Sequence, residues 1–444
     1  MKINKIKVNG FSKIKETAID FNQSNLKALI ALNNYGKSNL LQSFSFAEDF
    51  IKVSDEQKSL MMRFLGGIPI NNNLDRTDFE FEVEFATSFE RKEVEVNYMF
   101  SFSWIKGSEN RKSGEKISGE YLRIKEAGKN SRYAKYINRD KEGSFYLSSP
   151  SGRCTTPVKI KDNELIVNKL KYYDNLFFHK IVEDINQLSF SITSLLDVDN
   201  AFNAFMIPDS VLKENSFDVE DGRNICRYIY YLKNKRPDKY ELLVNSLKDL
   251  IPGIEDIEPV ELNFNESTKE KAGNEIPFVL PEKIYDIRIK EKFNNQYTSI
   301  KMVSSGTKRI VLILASAIKA GEGKVHLLAF EELENSIHPN LLQKLLVMLN
   351  AILPNCRMII TSHSPYLVQY LDLDDIYVGI PNQNGIACFK KVKKSRRSQL
   401  LNRADDENST LGDYLFNMMI EGIADEEIFN EYIGIEETPE LQKS

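Results

Sequence analysis

One short stretch near the start of the chain constrains the fold more than any other segment of the sequence. In it an apolar run leads into glycine, lysine and serine. Residues 26–32 predict a short buried strand, and residues 38–50 predict the helix that follows it. Gly36 permits a tight turn between the two, and Lys37 and Ser38 stand where the helix begins. In such a strand, loop and helix, backbone N–H groups cradle phosphates, the lysine reaches the outer phosphate oxygens and the hydroxyl ligates Mg²⁺. The stretch predicts a nucleotide phosphate loop, with the binding residues Asn33, Asn34, Tyr35, Gly36, Lys37, Ser38 and Asn39.

Two residues of this loop depart from the usual pattern. Ala31 stands where a first glycine is expected, and Tyr35 occupies a place that a small residue usually holds. An alanine costs roughly 1–2 kcal/mol where the backbone needs a positive φ, and it is tolerated where φ is negative. Two interpretations therefore stay open, looser nucleotide binding or a loop conformation that alanine accepts. For the loop taken alone, an ordinary βα connection is the simpler alternative.

A second apolar run, residues 325–330, ends in the two carboxylates Glu331 and Glu332. A buried parallel strand delivers such charges to the carboxyl edge of its sheet. Phosphoryl transfer depends on positioning and on neutralising charge, so one carboxylate on the metal and one on the attacking water are its minimum parts. The capping of a helix N-terminus explains one carboxylate, but not a pair that directly ends an apolar strand.

Two more segments with polar ends lie close to this strand in the sequence. Ser304, Ser305, Gly306 and Thr307 precede a helix predicted over residues 308–320. Hydroxyls and free N–H groups at a helix N-terminus form an anion site, although a plain helix cap is the alternative. Residues 358–361 predict another buried strand, which ends in the tetrapeptide from Ser362 to Pro365 with His363 inside it. A lone histidine at a strand end is otherwise an ordinary hydrogen-bonded side chain.

The order of these four segments resembles the head of the ABC-type ATPases, in the branch that contains RecF, SMC and the overcoming-lysogenization-defect (OLD) proteins. The resemblance covers most of residues 1–50 and 220–380, and it includes the Asn33–Asn34 pair and a turn at residues 221–225. It implies an α/β fold of the P-loop NTPase class. We expect a mixed sheet core, an antiparallel β layer, a mostly helical inserted region and no long coiled-coil arms.

The resemblance also implies catalytic roles. Glu331 and Ser38 are expected to hold Mg²⁺, and Glu332 is expected to act as the general base that polarises the attacking water. His363 is expected to contact the γ-phosphate, and Lys37 to neutralise it. The implied activity is ATP hydrolysis, fast or slow, with ATP and Mg²⁺ as cofactors.

The turn from Ser304 to Thr307 carries an implication for assembly. In ABC-type ATPases the equivalent turn binds the γ-phosphate of the ATP that another subunit holds. The resemblance therefore implies a homodimer, or a higher even oligomer, in which two chains enclose two ATP molecules head-to-tail.

Patterning along the chain predicts five segments. Apolar residues alternate with polar ones over residues 79–105, which indicates an antiparallel sheet layer. Cationic residues and turn residues dominate from 106 to 141, and a second basic run covers 390–397. The predicted segments are the first half of the head with the phosphate loop (1–105), a basic hairpin-rich insertion (106–160), a helical insertion (161–255), the second half of the head (256–390) and a charged C-terminal segment (391–444).

The spacing of the motifs separates this chain from others of the branch. The 293 positions from Ser38 to Glu331 contain no sustained heptad run, so long SMC-type arms are not expected. Only 81 residues follow His363, and we expect the nuclease domain that OLD proteins carry there to be missing. The prediction is an ATPase without its own nuclease.

Composition limits the ligands and the cellular location that can be expected for this chain. The net charge of −5 provides no overall basic field for nucleic acid, and the four cysteines show no metal-ligand spacing. No signal region and no apolar stretch of membrane-spanning length is apparent, so a cytoplasmic protein without a membrane partner is expected.

The leading hypothesis for the function rests on the same resemblance. Nuclease-free ATPases with short arms in this branch are similar to the ATPase subunits of Septu and PARIS anti-phage systems, which control a separately encoded effector, here expected to be a nuclease. The trigger is left open between a nucleic acid and a phage protein. Two alternatives remain, a RecF-like DNA-repair ATPase and a nucleotide-binding scaffold with little turnover.

Overall fold

The chain forms two compact units. The first comprises residues 1–190, 325–329 and 355–444, and the second comprises residues 191–324 and 330–354. The computed structural model describes residues 1–63, 68–74, 76–105, 116–128, 132–194, 198–202, 225–263, 283–323, 325–379, 384–421 and 430–434. Several predicted features lie partly outside these residues: 221–224 of the predicted turn, 106–115 and 129–131 of the basic insertion, and 422–429 and 435–444 of the charged C-terminal segment.

The described strands, numbered in chain order, are β1 (Lys2–Asn9), β2 (Thr17–Asp20), β3 (Leu26–Ile30), β4 (Phe79–Phe89), β5 (Lys92–Phe102), β6 (Ile117–Glu126), β7 (Ala134–Asp140), β8 (Gly143–Leu147), β9 (Cys154–Pro157), β10 (Phe190–Ser194), β11 (Ile254–Asn263), β12 (Lys283–Glu291), β13 (Thr298–Ser299), β14 (Leu327–Glu331), β15 (Arg357–Ser362), β16 (Ile376–Gly379) and β17 (Phe389–Lys391).

The described helices, numbered in the same way, are α1 (Lys37–Lys52), α2 (Asp55–Met62), α3 (Ile166–Leu170), α4 (His179–Asn186), α5 (Val198–Ala201), α6 (Ile225–Lys235), α7 (Pro237–Leu250), α8 (Ser305–Gly321), α9 (Pro339–Ile352), α10 (Pro365–Val368), α11 (Arg397–Asp406) and α12 (Leu411–Glu421).

An antiparallel sheet of order β2-β1-β4-β5-β6-β7-β8-β9 forms one layer of the first unit. In β4 and β5 the side chains alternate between the buried and the solvent-facing side, as the sequence pattern predicts. The sheet continues through β6 to β9, so these four strands of the predicted hairpin-rich insertion extend this layer.

Helix α1 packs its apolar side against this sheet. Its buried residues recur at helical spacing, among them Phe46 and Phe50. The ring of Phe50 stacks on Phe100 at a centroid distance of 5.0 Å, and Phe46 meets Phe79 edge-on at 5.1 Å. Aromatic pairs of this kind add roughly 0.5–1.5 kcal/mol each beyond the burial of their area. They fix α1 on the sheet, and with it the loop at the start of the helix.

A mostly parallel sheet carries the phosphate loop. Within the first unit its strands follow the order β14-β15-β3-β16-β17, and Leu327–Ala329 of β14 belong to this unit. The central strand β3 is buried along its whole length and pairs in parallel with β15 on one side and β16 on the other. Since the carboxyl ends of parallel strands meet at one edge, the residues that follow β3 and β15 are brought to the same edge.

The second unit combines a three-stranded sheet, β11-β12-β13, with the helices α5 to α9. Helix α8 is buried along most of its length. At its end Gly321 lies so close to Ile352 that a Cβ atom would stand 2.9 Å from the carbonyl oxygen of Ile352. This contact fixes the end of α8 against the end of α9.

The predicted fold class, an α/β P-loop head with a mixed sheet and an antiparallel layer, is confirmed. The longest helix of the described residues has 17 residues, so no coiled-coil arm is present among them. Within the same residues, none of the helices has the length and apolar character needed to cross a bilayer. The borders of the five predicted segments stay predictions.

Candidate nucleotide-binding site

The phosphate loop turns through two residues with positive φ. Strand β3 ends at Ile30, φ is 65° at Asn34 and 93° at Gly36, and α1 begins at Lys37. A Cβ atom at Gly36 would stand 2.6 Å from the Cβ atom of Ala387. Glycine is therefore required at this position both for its left-handed backbone and for the close approach of a neighbouring segment.

Ala31 fits its place without backbone strain. It is fully buried and is not among the residues with positive φ, so the interpretation in which alanine is accepted is the one that the structure supports. Its methyl group lies against Gly379 at the end of β16, where a Cβ atom would stand 2.6 Å from the Cβ atom of Ala31. The missing glycine of the loop is thus matched by a glycine on the adjacent strand.

Lys37 is buried, and its ammonium is held inside the loop. Its Nζ atom donates to the carbonyl oxygen of Ala31 at 2.6 Å and to that of Leu32 at 3.2 Å. A second cation, Lys13, donates to Asn34 through the backbone oxygen at 2.6 Å and through Oδ1 at 2.8 Å. Lys13 precedes Asn34 by 21 residues and belongs to no motif, which is why sequence reasoning missed it.

The remaining loop residues surround the N-terminus of α1. Ser38 is exposed in the first turn of this helix, and Tyr35 and Asn39 are half-buried. Partial burial raises the pKa of the Tyr35 hydroxyl. The first amides of a helix carry partial positive charge and have no partner within the helix. The loop also contains the buried Lys37 and the left-handed backbone of Gly36. Together these features fit a phosphate-bearing ligand.

His363 stands at the same sheet edge as the phosphate loop. Ser362, the last residue of β15, pairs with Ile30, the last residue of β3, and accepts a hydrogen bond at its carbonyl oxygen from the Ala31 N–H at 3.4 Å. The Oγ atom of Ser362 accepts from the N–H of Ser364 at 2.9 Å and closes a tight turn around His363. The structure therefore brings together two of the predicted site elements, the phosphate loop and the histidine.

The acidic strand end lies in the second unit. Glu331 is the last residue of β14, and Glu332 has a φ of 52°, which costs a non-glycine residue on the order of 1–3 kcal/mol. The Nδ2 atom of Asn335 donates to Oε2 of Glu332 at 2.5 Å. Arg309 of α8 donates to the carbonyl oxygen of Glu332 at 3.2 Å. Asn335 thus orients the carboxylate of Glu332, and Arg309 holds the backbone carbonyl of the same residue. Neither contact belongs to a sequence motif.

Arg309 links this acidic turn to helix α8. Burial lowers the pKa of its guanidinium, while the carboxylates of Glu332 and Glu334 act in the opposite direction and favour its charged form. An arginine pointing from a buried helix face has no signature in the sequence. Sequence reasoning could treat it only as one of many cations.

The serine-glycine turn begins α8 in the same unit. Ser304 is the N-cap, and its Oγ atom accepts a hydrogen bond from the N–H of Thr307 at 3.2 Å. A Cβ atom at Gly306 would stand 2.7 Å from the carbonyl oxygen of Ser336, so the turn packs directly on the segment that follows the acidic pair. The structure shows the helix cap, and it leaves Ser305 exposed in the first turn. Anion binding by this turn stays a prediction, as do the roles of the other site residues.

Comparisons with known proteins bear on the chain as a whole. The family described as "AAA domain, putative AbiEii toxin, Type IV TA system" matches residues 32–369. A curated relative, the Retron Vc95 probable ATPase of Vibrio cholerae serotype O1 biovar El Tor, is 22% identical over 397 residues, which are 83% of this chain and 71% of the relative.

Two solved structures of SMC heads are also similar to the chain. An SmcHead bound to the C-winged helix domain of ScpA is 12% identical, with a TM-score of 0.47, covering 90% of this chain and 100% of that one. The SMC head domain from Thermotoga maritima is 14% identical, with a TM-score of 0.42, covering 88% of this chain and 100% of that one.

The contact between Ala31 and Gly379 predicts a compensating pair of substitutions. Gly379→Ala places a methyl group 2.6 Å from that of Ala31, so the phosphate loop must shift and nucleotide affinity should fall by about tenfold or more. Adding Ala31→Gly removes the opposing methyl group and should recover most of the affinity. Titration with a fluorescent ATP analogue measures both. An unchanged affinity of Gly379→Ala, or a double variant no better than the single one, would contradict the contact.

Proposed function

Because the chain belongs to the family described as "AAA domain, putative AbiEii toxin, Type IV TA system" and is an ATPase of this class, we propose that it is the ATPase subunit of a prokaryotic anti-phage defence complex. In this proposal two chains close around two ATP molecules and control a separately encoded effector, a nuclease. The observation that carries the nucleotide-driven part is the pairing of Ile30 with Ser362, which supports a γ-phosphate position between the phosphate loop and His363.

We infer the chemistry from the roles that the sequence predicts for these side chains. Water attacks the γ-phosphorus of ATP, the bond to the bridging oxygen of the leaving ADP breaks, and Glu332 accepts the proton of the water. Lys37 and His363 stabilise the charge on the γ-phosphate oxygens. Ser38 and Glu331 would hold Mg²⁺, which neutralises phosphate charge when it is bound. The hydrogen bond from Asn335 and the strained backbone of Glu332 support its role as a positioned base.

The assembly part of the proposal rests on the serine-glycine turn. Ser304 and Ser305 are exposed at the N-terminus of α8, where the helix dipole favours an anion. The close packing of Gly306 on Ser336 makes this turn and the segment after Glu332 one rigid surface. We assign to this surface the γ-phosphate of the ATP held by a second copy of the chain, in a homodimer or a higher even oligomer.

The defence role is supported by what the comparisons describe. The V. cholerae relative is named as a retron ATPase, and the family description refers to a toxin and to a Type IV TA system. A toxin–antitoxin system has two components, which supports a second protein that acts together with this chain. These descriptions favour defence over the RecF-like repair alternative. The trigger stays open between a nucleic acid and a phage protein.

Substitution of the proposed base gives the most direct test of the chemistry. Glu332→Gln keeps the shape of the side chain but removes its basicity, so steady-state ATP hydrolysis should fall by about 10²–10⁴-fold. ATP binding should persist, and the closed dimer should accumulate in sedimentation. Lys37→Ala should instead lose ATP binding. Glu241→Gln, on an exposed glutamate of α7, is the matched control and should keep the wild-type rate. Wild-type hydrolysis by Glu332→Gln would contradict the assignment.

The proposal that a separate protein carries the nuclease activity is tested by purifying the chain without the other proteins of its operon. The chain purified alone, with Mg²⁺ and ATP, should leave plasmid, RNA and tRNA intact. The complex co-purified from the native operon should have a mass that includes a second protein and should cleave nucleic acid when it is triggered. Cleavage by a partner-free preparation, which the Glu332→Gln variant retains, would contradict the proposal of a separate effector.

A further inference from the structure

The C-terminal helix α12 packs on the short segment that carries His363. We propose that Gly412, in the first turn of α12, is a positioning residue for His363: the helix holds the backbone of Pro365 and thereby sets the place of the histidine. This inference rests on the proposed function, in which His363 contacts the γ-phosphate.

The backbone of Pro365 approaches Gly412 more closely than any side chain at that position would allow. A Cβ atom on Gly412 would stand 2.1 Å from the carbonyl oxygen of Pro365, 2.8 Å from its carbonyl carbon and 3.0 Å from its Cα atom. Ordinary van der Waals contacts of a Cβ atom begin at 3.4 Å. All three atoms belong to the backbone, so no flexible side chain can turn aside. Any side chain at position 412 must displace either α12 or the Pro365 peptide by roughly 1.3 Å.

Hydrogen bonds restrict the backbone of the segment from Ser362 to Tyr366. Oγ of Ser362 accepts from the N–H of Ser364 at 2.9 Å and donates to the carbonyl oxygen of Ser364 at 3.3 Å. Oγ of Ser364 in turn accepts from the N–H of Tyr366 at 3.3 Å and caps α10. Since these bonds tie the residues on both sides of the histidine, a displacement of Pro365 is transmitted to His363.

Helix α12 is held in place on its side of the contact. Its residues Leu415, Met418 and Met419 are buried in a core with Val368 of α10. The first turn of α12 is closed by Thr410, whose Oγ1 accepts from the N–H of Asp413 at 3.1 Å and donates to its carboxylate at 2.6 Å. A methyl group at position 412 therefore meets a helix that is capped and packed, and we infer that Pro365 and the histidine segment are displaced.

The same core reaches the phosphate loop. Ile30, which ends β3, and Val378 of β16 belong to the core, and Leu32 of the loop packs against it. Helix α12 thus supports the strand ends beneath the phosphate loop through side chains, and the histidine segment through the backbone contact at Gly412. Only the second of these contacts is changed directly by a side chain added at position 412.

The test is Gly412→Ala in the full chain. We expect kcat for ATP hydrolysis to fall by about 10–100-fold, since a misplacement of about 1 Å in a catalytic group has effects of this size. The affinity for ADP should change less than about threefold, because the phosphate loop is untouched and ADP has no γ-phosphate. A wild-type kcat for Gly412→Ala would overturn the proposal.

Two control variants separate positioning from general loss of stability. Met418→Ala removes a buried side chain of α12 without adding atoms near Pro365, and we expect a lower Tm with a kcat close to that of the wild type. Gly253→Ala adds a methyl group where no atom lies within 4 Å, and it should change neither quantity. If Met418→Ala lowers kcat as much as Gly412→Ala does, the effect is one of stability and the proposal fails.

A double-mutant cycle with His363→Ala shows whether Gly412 acts through the histidine. In the His363→Ala background, Gly412→Ala should lower kcat by less than about twofold, because the positioned group is already gone. Additive losses would overturn the proposal while leaving the proposed function intact. Wild-type turnover of His363→Ala itself would instead reject the role of the histidine, and the inference with it.

A second variant covers the case in which Gly412→Ala does not fold. Thr410→Ala removes the cap of α12 without adding any atom, and loss of such a cap costs about 1 kcal/mol. It should lower kcat in the same direction by a few fold with ADP affinity preserved. An unchanged kcat in this variant would overturn the proposal in that case.

Discussion

The parallel pairing of β3 with β15 is the constraint on which the rest of the site depends. Strand β3 leads into the phosphate loop and β15 leads into His363, and the register that pairs Ile30 with Ser362 ends both strands at the same level. Each strand is buried over its length, so a slip of this register would expose apolar side chains and separate the two polar ends. Through this register the hydrophobic core sets the distance between the loop and the histidine.

Around this edge, three glycines admit close neighbours that no other residue would. Gly36 faces Ala387, Gly379 faces Ala31 and Gly412 faces Pro365, each at a distance that a Cβ atom could not keep. They lie on three different segments of the first unit, and each allows a close contact between two segments that are distant in the sequence. The polar groups of the site are therefore positioned by backbone contacts as well as by side-chain packing.

The motifs and their strands were predictable because they depend on local pattern. The strand predicted at 26–32 is observed as Leu26–Ile30, and the helix predicted at 38–50 is observed as Lys37–Lys52. The helix predicted at 308–320 starts earlier, at Ser305, since the serine-glycine turn forms its first residues. Such segments combine an apolar period with a cap or a glycine, and each of these signals is contained in a dozen residues.

The contacts that refine the site could not be predicted in this way. Lys13 on Asn34, Arg309 on Glu332 and Gly412 on Pro365 join residues that are far apart in the sequence and have no fixed spacing. The packing of the C-terminal segment could not be predicted for the same reason. Charged residues dominate its sequence pattern, yet α12 buries Leu415 and Met419 in a core. Single-sequence patterns report which residues are apolar, and the fold decides which of them meet.

The central claim, that one chain completes the ATP site of another, is tested most directly with mixed dimers carrying two different tags. Lys37→Ala removes the phosphate-loop lysine. Gly306→Glu places a carboxylate in the turn that is proposed to bind the γ-phosphate held by the other chain, where repulsion at an effective dielectric of about 20 would cost a few kcal/mol. A dimer of one chain with each substitution keeps one intact composite site, so it should hydrolyse ATP at about half the wild-type rate although either variant alone is inactive. A dimer that joins a wild-type chain to a chain carrying both substitutions has no intact composite site and should be inactive. The reverse outcome, with activity only in the second dimer, would show that each chain completes its own site and would contradict the account.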